Sequence, residues 1–175
     1  VKVDLANSAL NDGAAKGLVL SGFEAVIGTD RDDDIRGAAI GEKLVGGAGG
    51  DWLDGRAGND TLEGGGGGDQ LTGGSGADRF EFGHDAIGGG DLVTDFVRGT
   101  DKLAFDASDY GLGASVNLLL ATTPAATGSA PQFVFETDTG RLWFDADGAG
   151  NEADAELIAT LQGVSTLSAS DFVLF

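Results

Sequence analysis

From Val26 to Phe80 every ninth position holds a large apolar residue: Val26, Ile35, Leu44, Leu53, Leu62, Leu71 and Phe80. The residues between are mostly glycine, small or acidic. Three residues centred on each apolar position are the length of a minimal strand. The six that separate them are the length of a turn. A tandem period of this kind predicts a stacked solenoid, in which each unit buries its apolar face only against its neighbours. With a turn on each side, a full coil takes two units, or 18 residues. Ile35, Leu53 and Leu71 are then expected in one sheet, and Leu44, Leu62 and Phe80 in the other.

Residues 28–81 divide into six such units. The complete ones, starting at Gly46, Gly64 and Gly73, read G-G-x-G-x-D-x-U-x, with U the apolar residue. The unit Gly28–Arg36 has Thr29 and Arg31 in glycine positions but keeps Asp33 and Ile35 in register. The unit Gly37–Val45 has Glu42 where aspartate is expected, followed by Lys43, and the unit from Gly55 carries Arg56 in a glycine position. Residues 1–27, with apolar stretches Val1–Leu5 and Leu18–Leu20 about the turn Asn11-Asp12-Gly13, read as a strand-rich N-terminal cap. Solenoids need atypical end units to cover their open cores.

After Glu81 the repeat stops. Leu92–Phe96, Leu103–Phe105, Phe133–Phe135, Leu142–Phe144 and Phe172–Phe175 read as short strands between turns, and Ala155–Leu161 as a strand or a helical turn. Residues 114–131 read as a surface loop following a short apolar run. The fold class is therefore all-β: a parallel β-roll over 28–81, capped by a β-sandwich-like region over 82–175 whose phenylalanines and leucines build a core without metal.

Charge sharpens this picture. The 175 residues include 32 glycines and a formal net charge of −19. Glycine is costly to order and brings no side chain to a core, so the repeat needs a ligand or a better-packed neighbour to fold. The acidity argues against nucleic acid and against an anionic membrane surface, and no apolar run reaches the length of a membrane span. With no cysteine, neither a disulfide nor a thiolate zinc site is available. The chain starts at Val1 and lacks methionine, as expected of an excised piece or a processed product.

The acids recur at one place in each unit. Stacking two units per coil puts Asp33, Asp51 and Asp69 along one edge, and Glu42, Asp60 and Asp78 along the other. Neighbouring coils lie about 4.8 Å apart, so bare carboxylates repel, and a hard cation between them reverses that. Calcium suits such a site, with six to eight oxygens at about 2.3–2.6 Å in flexible geometry. The expected sites, about three to five in number, lie between Asp33 and Asp51, Asp51 and Asp69, and Asp60 and Asp78, completed by carbonyls of Gly47, Gly49, Gly65, Gly67, Gly74 and Gly76. The Glu42–Asp60 pair is weaker, because glutamate is longer and Lys43 adds competing charge.

These nonapeptides resemble those of the RTX proteins, the calcium-binding C-terminal regions of bacterial proteins exported by type I secretion, which include haemolysins, serralysin-type proteases and mannuronan epimerases. Two further stretches carry the resemblance. Asp91 to Leu103 is similar to the family's D-x-I-x-D-F-x-x-G-x-D-x-I segment, and Asp171-Phe172-Val173-Leu174-Phe175 to the tip of a type I secretion signal. The resemblance implies a parallel β-roll, calcium-triggered folding after export, the secretion machinery as a partner and an extracellular destination.

Other constellations are open to two readings. Asp145 to Glu156 partly matches an EF-hand loop, but it follows a strand-like segment and reads more simply as a glycine turn. Asp91, Asp95 and Asp101 are either calcium ligands where the roll meets the C-terminal region, Asp95 foremost, or solvated turn acids. His84 is the single histidine and reads as a surface or junction residue, so no zinc-protease or nucleophilic motif is present. Arg56, Arg79 and Arg98 are expected to pair with carboxylates. Trp52 flanks an apolar position, and an exposed aromatic there can stack on a sugar. The expected function is a non-catalytic, calcium-binding, secreted module serving a larger extracellular protein whose catalytic part lies upstream of Val1. The alternatives are a polysaccharide-binding or surface-attachment module and, with least support, a small enzyme using paired carboxylates.

Overall fold

A computed structural model describes residues 1–13, 22–83, 89–123, 128, 130–148 and 155–175. Leu18–Leu20, His84 and residues 149–154 of the EF-hand-like segment lie outside them. The strands of the roll are β1 (Lys2–Asp4), β2 (Ala25–Thr29), β3 (Asp34–Arg36), β4 (Lys43–Ala48), β5 (Trp52–Asp54), β6 (Thr61–Gly66), β7 (Gln70–Thr72) and β8 (Arg79–Phe82). Beyond the repeat come β9 (Asp91–Val93), β10 (Lys102–Phe105), β11 (Leu118–Ala121), β12 (Gln132–Glu136), β13 (Arg141–Asp145), β14 (Glu156–Leu161) and β15 (Phe172–Leu174). None of the described residues forms a helix long and apolar enough to cross a membrane.

Two sheets face each other. One has nine strands in the order β1-β3-β5-β7-β9-β14-β13-β12-β11, the other six in the order β15-β10-β8-β6-β4-β2. Successive strands along the chain alternate between the sheets through the roll, and all pairings there are parallel. Ile35 registers with Leu53 and Leu53 with Leu71 in one sheet. Leu44 registers with Leu62 and Leu62 with Phe80 in the other. The 18-residue coil is thus the observed one. Val26 registers with Leu44, so the rhythm starts before the first recognisable unit.

The core follows from the nine-residue spacing. Ile35, Leu44, Leu53, Leu62, Leu71 and Phe80 have no exposed surface, and their cluster continues into Phe82, Val93, Leu103, Phe105, Phe133 and Phe135. At the C-terminal end the Phe105 ring packs tilted against Phe133 at 4.4 Å and meets Tyr110 edge-on at 5.2 Å. A small second cluster, Val3 and Leu5 against Val1, Val26 and Ala38, covers the N-terminal end. Residues 27–28 lie within β2 and 81–82 within β8, both in the six-stranded sheet; β1 and β2 precede the first ladder acid, and β9, β10 and β15 extend the sheets beyond the repeat. Replacing Leu62 by alanine should cost about 2–5 kcal/mol, measured by urea denaturation in calcium. Ile27→Ala, at a side chain 75% exposed, should change stability by under about 0.5 kcal/mol.

Two readings of the C-terminal part change, and one left open between strand and helical turn is decided. The strand expected over Leu92–Phe96 ends at Val93, because Asp95 leaves the sheet and its carboxylate takes the amides of Gly73 and Gly74 at 2.9 and 2.8 Å. Residues 118–121 pair as a strand, parallel to β12, rather than lying in a loop. Glu156–Leu161 is a strand, with Ile158, Ala159 and Leu161 fully buried.

Candidate metal centre

Within the repeat each acid sits sixth in its unit, immediately before a strand, and the register fixes the next acid one coil away. The backbone amide of Asp33 donates to Asp51 Oδ1 at 2.7 Å, and that of Asp51 to Asp69 Oδ1 at 2.7 Å. On the other edge Glu42 donates to Asp60 Oδ1 at 2.8 Å and Asp60 to Asp78 Oδ1 at 2.9 Å. Both ladders run past the repeat. Asp69 donates to Asp91 Oδ1, and Asp78 to Asp101 Oδ1, each at 3.0 Å. The nitrogen of Val1 meets Asp33 Oδ1 in the same register at the other end. All eight acids are at least 96% buried.

The glycines make this burial possible in two ways. At the first position of a unit they leave room: a Cβ on Gly46 would stand 2.2 Å from Asp51 Oδ2, and one on Gly55 2.5 Å from Asp60 Oδ2. At the second and fourth positions they supply backbone that other residues resist, with φ of 114° at Gly47 and 118° at Gly49. The carbonyls follow from that backbone. Those of Gly47 and Gly49 lie against Gly65 and Gly67 one coil onward, and those of Gly64 and Gly73 lie against Gly46 and Gly55 one coil back. Turn carbonyls therefore enter the seam between coils from both sides. Sequence spacing alone did not single out the first-position carbonyls.

With one oxygen of each acid committed to the ladder, the second decides the chemistry. Oδ2 of Asp51, Asp60, Asp78 and Asp91 is buried and accepts no hydrogen bond. Such an oxygen needs either a proton or a cation. Burial pushes Asp51, Asp60 and Asp78 up to about 6, with neighbouring ladder acids adding to it. Burial pushes Asp91 up to about 8, with Asp69 and Asp51 contributing. Among the described residues no three acidic or histidine side chains gather at one point. An ion in the seam would therefore be held by ladder carboxylates together with turn carbonyls. Stranded anionic oxygens beside backbone carbonyls, without nitrogen or sulfur donors, fit calcium.

The remaining candidates divide. Asp95 caps the turn at Gly73 through both oxygens and is not a rung of either ladder. Lys43 does not compete at Glu42, since its Nζ pairs with Glu63 and Glu81 at 2.9 and 2.8 Å on the outer face of the six-stranded sheet. The three arginines are paired as expected: Arg56 with buried Asp4 at 2.7 Å, Arg79 with Glu81 at 2.7 Å and Arg98 with Asp171 at 3.4 Å. Trp52 is 39% exposed, with the Arg36 guanidinium 4.2 Å from its ring. Asp145 forms a turn, its Oδ1 accepting from the amides of Asp147 and Gly148 at 3.1 and 2.6 Å.

Comparison with known proteins agrees with this geometry. The family model of the RTX calcium-binding nonapeptide repeat matches residues 45–80 in four copies. Two solved structures from Azotobacter vinelandii are similar along most of their length, both subunits of a mannuronan C5-epimerase. The AlgE6R3 subunit is 30% identical, with a TM-score of 0.59 over 87% of this chain and 84% of that one. The AlgE6R2 subunit is 30% identical, with a TM-score of 0.61 over 85% of this chain and 91% of that one. No curated protein matches the chain. Repeat, roll and stranded carboxylates lead to one conclusion: the chain belongs to the RTX calcium-binding proteins.

Proposed function

We propose that this calcium-binding module is non-catalytic, is exported by type I secretion, folds when it meets extracellular calcium and thereby stabilises a larger protein outside the cell. The observation that carries the reading is the set of buried carboxylate oxygens without a protein donor at Asp51, Asp60 and Asp78. At low calcium those charges oppose coil stacking and keep the chain loose enough to thread. At high calcium the ion bridges the coils. The ligands proposed are the carboxylates of Asp51, Asp69, Asp60 and Asp78, with carbonyls of Gly47, Gly49, Gly65, Gly67, Gly74 and Gly76. The secretion signal is proposed at the terminal segment, where β15 pairs along β10 and leaves Phe175 half exposed. Removing residues 171–175 should abolish export by a type I system while the purified chain still binds calcium. Undiminished export would contradict the secretion half of the proposal.

A second reading has its own support. Exposed Trp52 and half-buried Arg36, whose guanidinium also takes Asp34 at 2.9 and 3.3 Å, form an aromatic–cation pair on the outer face of the nine-stranded sheet, with Gln70 beside Trp52 in register. That pair suits a carboxylated sugar, the ring stacking on the sugar and the guanidinium meeting its acid. Titration with alginate in millimolar calcium should show binding that Trp52→Ala weakens. Absence of binding to the wild-type chain would dismiss this reading.

A further inference from the structure

The ladder acids are not equivalent, and the difference lies four residues before each. The Thr29 amide donates to Asp33 Oδ2 at 2.6 Å, and its hydroxyl adds a bond at 2.9 Å. The Ala38 amide donates to the two Glu42 oxygens at 3.2 and 3.3 Å. The Val97 amide donates to Asp101 Oδ2 at 2.7 Å. In the turns between, the equivalent residues are Gly47, Arg56, Gly65 and Gly74, all with positive φ, of 114°, 69°, 98° and 93°. Thr29, Ala38 and Val97 have none. The positive φ carries the amide elsewhere: that of Arg56 donates to Asp54 Oδ1 at 3.1 Å and that of Gly74 to Asp95 Oδ2 at 2.8 Å. A Cβ resists this backbone region, so the residue type here biases which way the amide points.

Asp91 lies outside the repeat, 22 residues after Asp69 instead of 18. Its side chain is fully buried, one oxygen takes the Asp69 amide, and the other accepts nothing.

We propose that, in the turns ending at Asp33, Glu42, Asp51, Asp60, Asp69, Asp78 and Asp101, the residue four before the acid decides whether the turn takes calcium. The turns ending at Asp33, Glu42 and Asp101 are closed by their own amide and take none. Asp51, Asp60 and Asp78 turn the freed oxygen toward an ion, and Asp91 supplies a further calcium-binding carboxylate beyond the repeat. Calcium then acts after the turns at Asp33 and Glu42, which the backbone closes by itself, as far as Asp91 on one edge and up to the closed turn at Asp101 on the other. This rests on the calcium reading of the ladder and sharpens it residue by residue.

Native mass spectrometry of the full chain in calcium counts the ions. Asp51→Asn, Asp78→Asn and Asp91→Asn should each lose one, while Asp33→Asn and Asp101→Asn should keep the wild-type count. An ion lost from Asp33→Asn or Asp101→Asn, or none lost from Asp91→Asn, overturns the inference. A wild-type chain that binds no calcium instead fails the reading beneath it. Anomalous scattering from wild-type crystals grown in calcium needs no variant to fold. It should place ions on Asp51, Asp60, Asp69, Asp78 and Asp91, and an ion coordinated by Asp33, Glu42 or Asp101 overturns the inference.

Discussion

Chelating calcium at neutral pH should unfold the roll. Extracellular-type calcium sites bind at about 10⁻⁴–10⁻³ M. At ten times the dissociation constant each independent site contributes about 1.4 kcal/mol, and three to five sites together about 4–7 kcal/mol. A small domain's whole stability is about 5–15 kcal/mol. Loss of that contribution also restores the repulsion between Asp51, Asp69 and Asp91, and between Asp60 and Asp78, which the ladder bonds hold one coil apart. Thermal melts should show a large loss of Tm in EGTA, and an unchanged Tm would count against the account.

Acid should offset part of that loss, and the sign follows from the ladder. In the calcium-free protein Asp51, Asp60 and Asp78 titrate at about 6 and Asp91 at about 8, each above its ordinary value of 3.8. Groups raised on folding contribute stability that is fully present below the unfolded value and is lost as pH rises through the folded one. The calcium-free protein should therefore be more stable at pH 5 than at pH 8.5. Asp4 and Asp171 do not reverse this. Burial acts to raise them, but hydrogen bonds and the nearby arginines Arg56 and Arg98 hold both below the ordinary value, so their contribution is lost only in stronger acid.

Gly76→Ala should be nearly as damaging, even with calcium saturating. Gly76 has φ of 142°, and a Cβ there would stand 1.6 Å from the carbonyl oxygen of Gly58. Neither coil can retreat without breaking the ladder bond between Asp60 and Asp78. Backbone strain of about 1–3 kcal/mol adds to overpacking of about 1–3 kcal/mol. Gly99→Ala separates the two causes: its φ is 79° but nothing lies within 4 Å of the added carbon, so it should cost only about 1–2 kcal/mol. Equal urea midpoints for the two variants would show that the close stacking of coils is not what requires glycine at position 76.

Much of this was legible in the chain because a solenoid writes its period directly into the sequence. Nine-residue spacing gave the inward side chains, and doubling it gave the two sheets with Leu53 over Ile35 and Leu62 over Leu44. Asp91 and Asp101 were candidate ligands in the sequence but not recognisable as ladder rungs, because the steps of 22 and 23 residues break the period while the sheet register does not. Closure by Thr29, Ala38 and Val97 was hidden too, since it depends on amide direction, which glycine count only hints at. Lys43 illustrates strand alternation: it is adjacent to Glu42 in sequence, yet its side chain reaches Glu63 and Glu81 on the outer face. The pair of buried Asp4 and half-buried Arg56, 52 residues apart, carries no local signal at all.

Calcium, acting through the carboxylate ladders, holds the coils together. Amide hydrogen exchange by NMR at pH 7.4 reads the ladder bonds themselves, at the nitrogens of Asp51 and Asp60 that donate to Asp69 and Asp78. With millimolar calcium these amides should be strongly protected, and in EGTA they should exchange at the rates of an unstructured chain. Equal protection in the two conditions would contradict the account.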